Sequence, residues 1–297
     1  MLRLGTRRSA LARTQSTWVA DRLRAQGYAV ELVEILTEGD VNRSPLTQIG
    51  GTGVFASALR HALRDRVVDL AVHSLKDLPT AAEADLVIAA VPAREDPRDA
   101  LCARDGLTLA DLPAGSAVGT GSPRREAQLR QARPDLRIVA LRGNVDTRLA
   151  AVRAGALDAV VLAVAGLTRL GRLDQASELL APAIMLPAAG QGALAVECRA
   201  DRTDVVAALA AVDDPDTRVA VTAERALLAA LEAGCTAPIG ALAIPREDVL
   251  ELEGFRGPEE YGPIGRAGIR ARTVGSRQEP VEIARRLAQQ LAVGRAL

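Results

Sequence analysis

Apolar strand-like segments alternate with helical patterns along much of this chain, and that alternation limits the folds it can adopt. Val67–Val72 (VVDLAV) and Ala159–Val164 (AVVLAV) are apolar at nearly every position, which is typical of strands buried on both faces of a sheet. Ala10–Gln26 and Val145–Ala154 are predicted helices between such strands. Strands that alternate with helices in this way predict α/β layers with mostly parallel sheets.

The opening of the chain is repeated in its middle. Residues 5–12 (GTRRSALA) and 119–127 (GTGSPRREA) each follow a predicted strand with Gly-Thr, arginines and a serine that caps a helix. Two such units in tandem predict two lobes with a cleft between them.

Domain boundaries follow from the same pattern. A short strand is predicted near Ile184–Leu186, and the apolar segment Ala193–Glu197 is the strand that we expect to return to the first lobe. The predicted domains are a first α/β lobe at 1–92 and 193–212, a second α/β lobe at 93–192, and a C-terminal α+β domain at 213–297.

Composition narrows the function before any motif is considered. Aromatic residues make up only 2% of the 297 residues, which argues against base-stacking platforms for single-stranded nucleic acid. The formal net charge is zero, so the protein as a whole attracts neither nucleic acid nor a membrane surface. No apolar run reaches membrane-spanning length and the N-terminus lacks a signal-peptide pattern. We therefore expect a cytoplasmic protein, and nothing in the sequence suggests more than a monomer.

The cysteines and histidines do not form a recognisable ligand set. Cys102, Cys198 and Cys235 are odd in number and far apart, which argues against disulfides. His61 and His73 are scattered, so no metal site is predicted. Cys235 lies in the Gly-flanked segment GCTAPIG, where it is either a buried structural thiol or a reactive cysteine that carries a covalent group.

Lys76 is the only lysine among 37 basic residues, and it lies in the segment VHSLKDLP at 72–79. An ammonium is a compact charge with a tunable pKa, whereas a guanidinium is a permanently charged planar fork. A chain that uses arginine everywhere else therefore suggests a special position here. Asp77 follows at once, at the end of an apolar strand, and a surface Lys–Asp pair in a turn is the alternative interpretation.

Arginines are concentrated where predicted strands connect to predicted helices. In open α/β sheets those connections line the ligand crevice. Guanidinium forks there would pair with carboxylates or phosphates, assisted by the helix N-termini at Ser9 and Ser122. The pattern predicts a ligand with several anionic groups, and the absence of GxxxxGK[ST] disfavours a nucleoside triphosphate. The arginines concerned are Arg7, Arg8, Arg94, Arg98, Arg124, Arg125, Arg142, Arg148 and Arg169.

The chain resembles the porphobilinogen deaminase family over nearly its whole length. Many motifs occur in the family's order, so the resemblance is far more specific than any single short motif. They are GTRRS (5–9), GGTGVF (50–55), AVHSLKDLPT (71–80), REDPRDA (94–100), GTGSPRREAQL (119–129), LRGNVDTRL (141–149), LAVAGLTRLG (162–171), LPAAGQGALAVECR (186–199) and ERALLAALEAGCTAPIGA (224–241).

The resemblance implies a fold, an activity and a cofactor. The fold is two α/β lobes like those of type II periplasmic binding proteins, plus a C-terminal α+β domain that carries the cofactor. The cofactor is a dipyrromethane attached to Cys235 by a thioether. The implied activity is deamination of porphobilinogen, stepwise addition of four pyrrole units to the dipyrromethane, and release of hydroxymethylbilane.

The resemblance also implies roles for particular residues. Asp77 is the implied catalytic carboxylate, because loss of ammonia from an aminomethylpyrrole gives a cation that a nearby carboxylate stabilises. The acetate and propionate groups of each pyrrole require many cations. The residues implied to hold the cofactor are Cys235, Ser9, Lys76, Ser122, Arg124, Arg125 and Arg148. Those implied to bind substrate are Arg7, Phe55, Arg142 and Arg169, of which Arg169 is a candidate for either substrate binding or product release.

One departure from the family pattern lies in the segment GGTGVF. Thr52 stands where the family commonly has a lysine, which puts an ionic role of this loop in doubt, whereas the aromatic Phe55 is retained. A two-lobed module that binds a polyanion without catalysis is the alternative function. Replacing Asp77 by asparagine separates the two, since a pure binder keeps its affinity and the enzyme loses turnover.

Overall fold

The computed structural model describes residues 1–36, 54–231, 237–258 and 267–293. The chain divides into two compact units. Unit 1 comprises Met1–Glu95 and Ala193–Val219, and unit 2 comprises Asp96–Gly192 and Ala220–Leu297. No helix in the described ranges has the length and apolar character needed to cross a membrane.

Unit 1 contains a five-stranded mixed sheet in the order β2-β1-β3-β10-β4. β1 pairs in parallel with β2 and β3, whereas β10 runs antiparallel to β3 and β4. The central place of β3 and the return of β10 to this sheet confirm what their apolar patterns predict. The strands are β1 (Leu2–Arg7), β2 (Val30–Ile35), β3 (Leu70–Ser74), β4 (Leu86–Ala90) and β10 (Leu194–Arg199).

Helices cover both faces of this sheet. They are α1 (Ala10–Ala25), α2 (Val54–Arg64) and α6 (Thr203–Leu209). α1 begins where Ser9 Oγ accepts a hydrogen bond from the backbone N–H of Ala12 at 3.3 Å, which satisfies one of the free donors of the first turn. The core on the α1 face is built from aliphatic side chains such as Leu4, Leu23 and Val196, all of which are fully buried.

Unit 2 contains a second five-stranded mixed sheet, in the order β7-β6-β8-β5-β9. β6 pairs in parallel with β7 and β8, and β5 runs antiparallel to β8 and β9. The strands are β5 (Asp99–Ala103), β6 (Ala117–Thr120), β7 (Arg137–Ala140), β8 (Ala159–Ala163) and β9 (Glu178–Leu180), and the helices are α3 (Pro123–Ala132), α4 (Val145–Arg153) and α5 (Val164–Arg169).

The sequence patterns missed β5 and β9. β5 reads DALCA and has no β-branched or aromatic residue, so its composition lacks the usual strand preference. β9 has only three residues, which is too short to show a period of two. β5 and β10 each run antiparallel to their neighbours in their own sheets. The two sheets are therefore mixed, whereas the alternating pattern predicts mostly parallel ones.

The predicted strand near Ile184–Leu186 is wrong. Met185 and Leu186 are buried without strand pairing, and a side chain takes the place of a neighbouring strand. Gln128 on α3 accepts from the backbone N–H of Leu186 at 2.7 Å and donates to its carbonyl at 3.1 Å. Met185 and Leu186 are apolar because they are buried in the core, not because they form a strand. The side-chain amide of Gln128 satisfies the backbone N–H and carbonyl of Leu186.

An antiparallel sheet of three strands completes unit 2 and confirms the predicted α+β character of the C-terminal part. Its order is β11-β12-β13, formed by β11 (Ile239–Pro245), β12 (Val249–Arg256) and β13 (Ile269–Ser276). The accompanying helices are α7 (Pro215–Ala230), which belongs to unit 2 from Ala220 onward, and α8 (Pro280–Val293). β11 is a further strand that the patterns missed. A Cβ at Gly254 would come within 3.0 Å of Leu227 and 2.8 Å of Leu291, so only glycine lets the helices pack this closely.

The C-terminal sheet is tied to the segment that precedes β10. Arg270 on β13 donates to the carbonyls of Ala183 and Pro182 at 2.6 and 2.7 Å. The backbone N–H of Ala241 on β11 donates to the carbonyl of Pro187 at 2.8 Å. These bonds join Pro182, Ala183 and Pro187 to the C-terminal sheet.

Candidate active site

Asp77 lies on a single turn of 3₁₀-helix, Leu75–Asp77, that follows the end of β3. Leu75 and Leu78 are buried, and the backbone N–H of Leu75 donates to the carbonyl of Ala193 at 3.1 Å. The two leucines anchor the turn, while the side chain of Lys76 is half-buried and Asp77 is exposed. The amphipathic sequence of the turn therefore presents the carboxylate on its outer side.

A small cavity in unit 1 has Asp77 in its wall. Gln15 on α1 is buried and donates to Ser74 Oγ at 3.0 Å, so the polar part of the wall is held in place. Ser9 caps the helix whose first turn contributes Ala12. An apolar recess with a few converging polar groups is the usual form of a ligand site. The lining residues are Arg7, Ala12, Gln15, Ala56, Leu59, Val72, His73, Ser74, Asp77 and Leu78.

In unit 2, Arg124 and Arg125 are buried at the start of α3. Ser122 Oγ accepts from the backbone N–H of Arg125 at 3.5 Å, and Pro123 occupies the first helical position, as the sequence predicts. Both guanidinium groups bind the fully buried carboxylate of Asp99. Arg124 Nη2 lies 2.8 Å from Asp99 Oδ2, and Arg125 Nη2 lies 2.7 Å from Oδ1.

The two buried arginines share one carboxylate, so a positive charge is left over. Burial by itself would raise the pKa of Asp99, but the neighbouring Arg124 and Arg125 hold it well below its usual range. Burial lowers the pKa of Arg124. The Nε–H of Arg124 is buried and has no hydrogen-bond acceptor among the described residues. A buried donor of this kind favours an anionic ligand.

Arg142 and Arg148 add to that surplus. Arg148 Nε donates to the carbonyl of Gly143 at 2.9 Å, and within the described ranges neither Arg142 nor Arg148 pairs with a carboxylate. Burial, and then repulsion by Arg125 and Arg142, lowers the pKa of Arg148 to about 10. A half-buried cation beside other cations is unfavourable in the protein alone, and a bound anion would relieve the repulsion.

The segment Gly190–Gly192 links Arg169 to Asp99. Arg169 on α5 donates to the carbonyl of Gly192 at 2.7 Å. The amide of Gln191 donates to Asp99 Oδ1 at 2.9 Å, and the backbone N–H of Gly190 donates to Glu224 on α7 at 2.7 Å. Arg169 is therefore positioned by the same segment that helps to orient Asp99.

The structure places the predicted residues in two groups. Arg7, Ser9, Lys76 and Asp77 lie in unit 1, and Ser122, Arg124, Arg125, Arg142, Arg148 and Arg169 lie in unit 2. Cys235 and Thr52 lie outside the described residues, as does the side chain of Phe55.

Two connection arginines are engaged elsewhere. Arg8 binds Glu34 on the exposed side of β2 at 3.4 Å, and Arg98 binds Asp96 at 2.6 Å. Neither side chain lines the cavity of unit 1. These two arginines pair with carboxylates of their own units.

Sequence reasoning missed Asp99 and Gln191 in unit 2 and Gln15 and His73 in unit 1. Asp99 lies inside the motif REDPRDA and Gln191 inside GQG, so both belong to motifs that the sequence analysis quoted without giving these residues a role. The signal that was available is a charged residue at the head of the apolar run Asp99–Ala103. Their contacts come from helices, strands and loops far away in sequence, which no local pattern reveals.

Two family models match the sequence. “Porphobilinogen deaminase, dipyromethane cofactor binding domain” matches residues 2–207, and “Porphobilinogen deaminase, C-terminal domain” matches residues 218–292. Together these models cover most of the chain.

Curated relatives match at high identity. Porphobilinogen deaminase of Mycobacteroides abscessus is 55% identical over 300 residues, which cover 98% of this chain and 96% of that protein. Porphobilinogen deaminase 1 of Streptomyces coelicolor is 62% identical over 247 residues, covering 82% and 77%. Porphobilinogen deaminase of Mycobacterium tuberculosis is 60% identical over 251 residues, covering 84% and 81%.

Solved structures with a similar chain course include periplasmic proteins. A nutrient binding protein from Burkholderia cenocepacia bound to methionine has a TM-score of 0.45 and 15% identity, covering 73% of this chain and 93% of that chain. A periplasmic substrate-binding protein of an ABC transporter from Coxiella burnetii has a TM-score of 0.44 and 15% identity, covering 73% and 94%.

Proposed function

Because this chain belongs to the porphobilinogen deaminase family, we propose that Asp77 is its catalytic carboxylate and that the arginines of unit 2 hold its cofactor. The chain has the family's dipyrromethane cofactor-binding domain and is a hydroxymethylbilane synthase. The non-catalytic binding module is therefore not retained as an alternative. What remains to be assigned is the role of each residue.

The observation that carries the proposal is the surplus positive charge in unit 2. Arg124 and Arg125 share the carboxylate of Asp99, and within the described ranges Arg142 and Arg148 have no carboxylate partner. A dipyrromethane bears several acetate and propionate groups, so its charge complements this surplus. When bound, the dipyrromethane supplies the pyrrole chain to which further units are added.

The fit extends to particular donors. The free Nε–H of Arg124 and the fork of Arg148 would donate to carboxylates of the cofactor, and Ser122 lies at the N-terminus of α3, where backbone donors favour an anion. Cys235 is proposed as the covalent attachment point on the basis of its GCTAPIG segment. Lys76 and Ser9 of unit 1 are proposed to assist in binding it.

Asp77 is proposed to act on porphobilinogen. A carboxylate held against the pyrrole N–H stabilises the cation that forms on the substrate as ammonia leaves. Arg7 lines the same cavity and would bind a substrate carboxylate, with Arg142 and Arg169 of unit 2 and the aromatic ring of Phe55 as the other substrate contacts. The cavity thus offers one acid, one cation and an apolar wall.

We propose the three-domain division at 1–92 with 193–212, 93–192, and 213–297. The three separate sheets and the break between the family models after residue 207 support it. A cytoplasmic location and a monomeric state remain predictions from the sequence.

The variant Asp77→Asn tests the catalytic assignment. Because it removes the charge and keeps the shape, we expect turnover to fall at least about 100-fold while the cofactor stays bound. Intact mass should show two linked pyrrole units in the wild type and in Asp77→Asn. The mass of Cys235→Ser, the control, should lack them. Wild-type turnover in loaded Asp77→Asn would contradict the proposal.

A further inference from the structure

A buried ion pair lies behind the cavity that contains Asp77. Glu197 on β10 is 2% exposed and Arg60 on α2 is 6% exposed. Arg60 Nε and Nη2 donate to the two carboxylate oxygens of Glu197 at 3.0 and 2.9 Å. This bidentate geometry is the strongest form of pairing between the two groups.

His73 connects this ion pair to the cavity. Its Nε2 lies 3.4 Å from Glu197 Oε2, close to the carboxylate but without a hydrogen bond to any described residue, and its buried ring lines the cavity together with Asp77. The backbone of His73 pairs with Ala195 and that of Ala71 with Glu197. Side chains two residues apart lie on the same face of a sheet, so strand register brings His73 and Glu197 together.

The network has a fixed outer end. Arg60 Nη1 donates to Glu83 at 2.8 Å, and Glu83 also accepts from Arg64 Nη2 at 2.7 Å. Burial by itself would raise the pKa of Glu197, but His73 and Arg60 lower it to about 2. The carboxylate is therefore an anion throughout the pH range in which an enzyme works.

A purely structural role does not require these groups. Apolar side chains of similar volume often replace a buried ion pair without loss of stability. Here the pair is joined to an imidazole in the wall of the cavity, and His73 is followed directly by Ser74, the last residue of β3, and then by the turn that carries Asp77. The position of the network, and not only its stability, distinguishes it from the surface ion pairs of unit 1.

We propose that Glu197, held by Arg60, is a positioning residue for the reaction. It orients His73 in the cavity wall and so fixes the end of β3 from which the Asp77 turn begins. The inference rests on the proposed catalytic role of Asp77. Among the described residues, the other charged or titratable groups that line this cavity or bind the ion pair are Arg7, Asp77 and Glu83.

The variant Glu197→Gln removes the charge and keeps the shape. Because the cofactor residues proposed for unit 2 are untouched, intact mass should show a normal bound dipyrromethane. We expect kcat to fall at least tenfold and KM to change less than about threefold.

Arg64→Met is the matched control. Arg64 binds the same Glu83 and also Asp85, but it does not touch Glu197. This variant should keep kcat within twofold. A kcat loss in Arg64→Met equal to that in Glu197→Gln would mean that general loosening of α2 explains both, and would overturn the proposal.

His73→Gln and the double variant complete the test. If Glu197 acts through His73, the double variant should have the kcat of the poorer single variant, whereas independent effects would multiply and overturn the proposal. If Glu197→Gln does not fold, His73→Gln alone decides, and a kcat within twofold of wild type overturns the inference. Inactive Asp77→Asn beside fully active Glu197→Gln refutes only this inference. Active Asp77→Asn refutes the proposed function.

Discussion

The two α/β sheets each bury a carboxylate, but they surround it with different partners. In each sheet the fourth strand is antiparallel and carries a buried carboxylate, Glu197 on β10 in unit 1 and Asp99 on β5 in unit 2. Glu197 binds one arginine and faces one histidine, and the arginine continues to a second carboxylate. Asp99 binds two arginines and a glutamine amide.

The difference lies in the charge balance. In the network of unit 1, Arg60 and Arg64 each have carboxylate partners, and the network borders a small cavity whose acid is Asp77. The cluster of unit 2 holds more guanidinium groups than carboxylates, and Arg142 and Arg148 extend it. A balanced network suits the precise placement of a reacting group, whereas an unbalanced one suits the binding of an anionic cofactor.

The largest effect that distinguishes the two carboxylates is expected for Asp99→Asn. Removing the carboxylate leaves two buried guanidinium groups without an anion, so the free energy of unfolding should fall by ~3–5 kcal/mol. Urea unfolding would measure it. Asp96→Asn, which breaks a partly exposed pair with Arg98, is the control and should cost about 1 kcal/mol or less. Equal losses in the two variants would contradict the charge-balance argument.

A pH series should separate Glu197 from exposed carboxylates. Its pKa is lowered from about 4.5 to about 2, so its contribution to stability is complete above pH 4.5 and is lost as the pH falls through 2. That contribution is on the order of 3 kcal/mol at neutral pH. The difference in unfolding free energy between wild type and Glu197→Gln should therefore shrink between pH 5 and pH 2.

Asp65→Asn, which changes an exposed carboxylate on the same unit, serves as the control for that series. It should keep the wild-type dependence of stability on pH. A constant difference between wild type and Glu197→Gln from pH 5 to pH 2 would show that the ion pair does not stabilise unit 1 through its charge.

The smallest effect is expected for variants that reduce the surplus positive charge in unit 2. In Arg124→Ala or Arg125→Ala, Asp99 keeps one arginine, so the protein should fold and the loss should fall on the cofactor. We expect cofactor assembly to weaken by on the order of 1.5–3 kcal/mol, measured as the loaded fraction by intact mass. Arg130→Ala, at an exposed position of α3 paired with Glu126, should load normally. Normal loading in both test variants would argue against the arginine assignment.

Local sequence patterns determined most of the framework. The continuous apolar character of β3 and β8 placed them inside sheets, and serine caps located the starts of α1 and α3. The patterns also indicated Asp77 and the arginines, because the ends of strands and the starts of helices can be predicted from residues adjacent in sequence. These features arise from contacts within a few residues along the chain.

Only the tertiary structure decided how those arginines are used. Asp99 meets Arg124 and Arg125 across about 25 residues of sequence, and Arg60 meets Glu197 across 137. Such pairs depend on which strands become neighbours, and the antiparallel placement of β5 and β10 leaves no local signature. Once a carboxylate and a guanidinium are buried, the number of charges of each sign around them decides how favourable the cluster is. No local pattern along the chain contains that number.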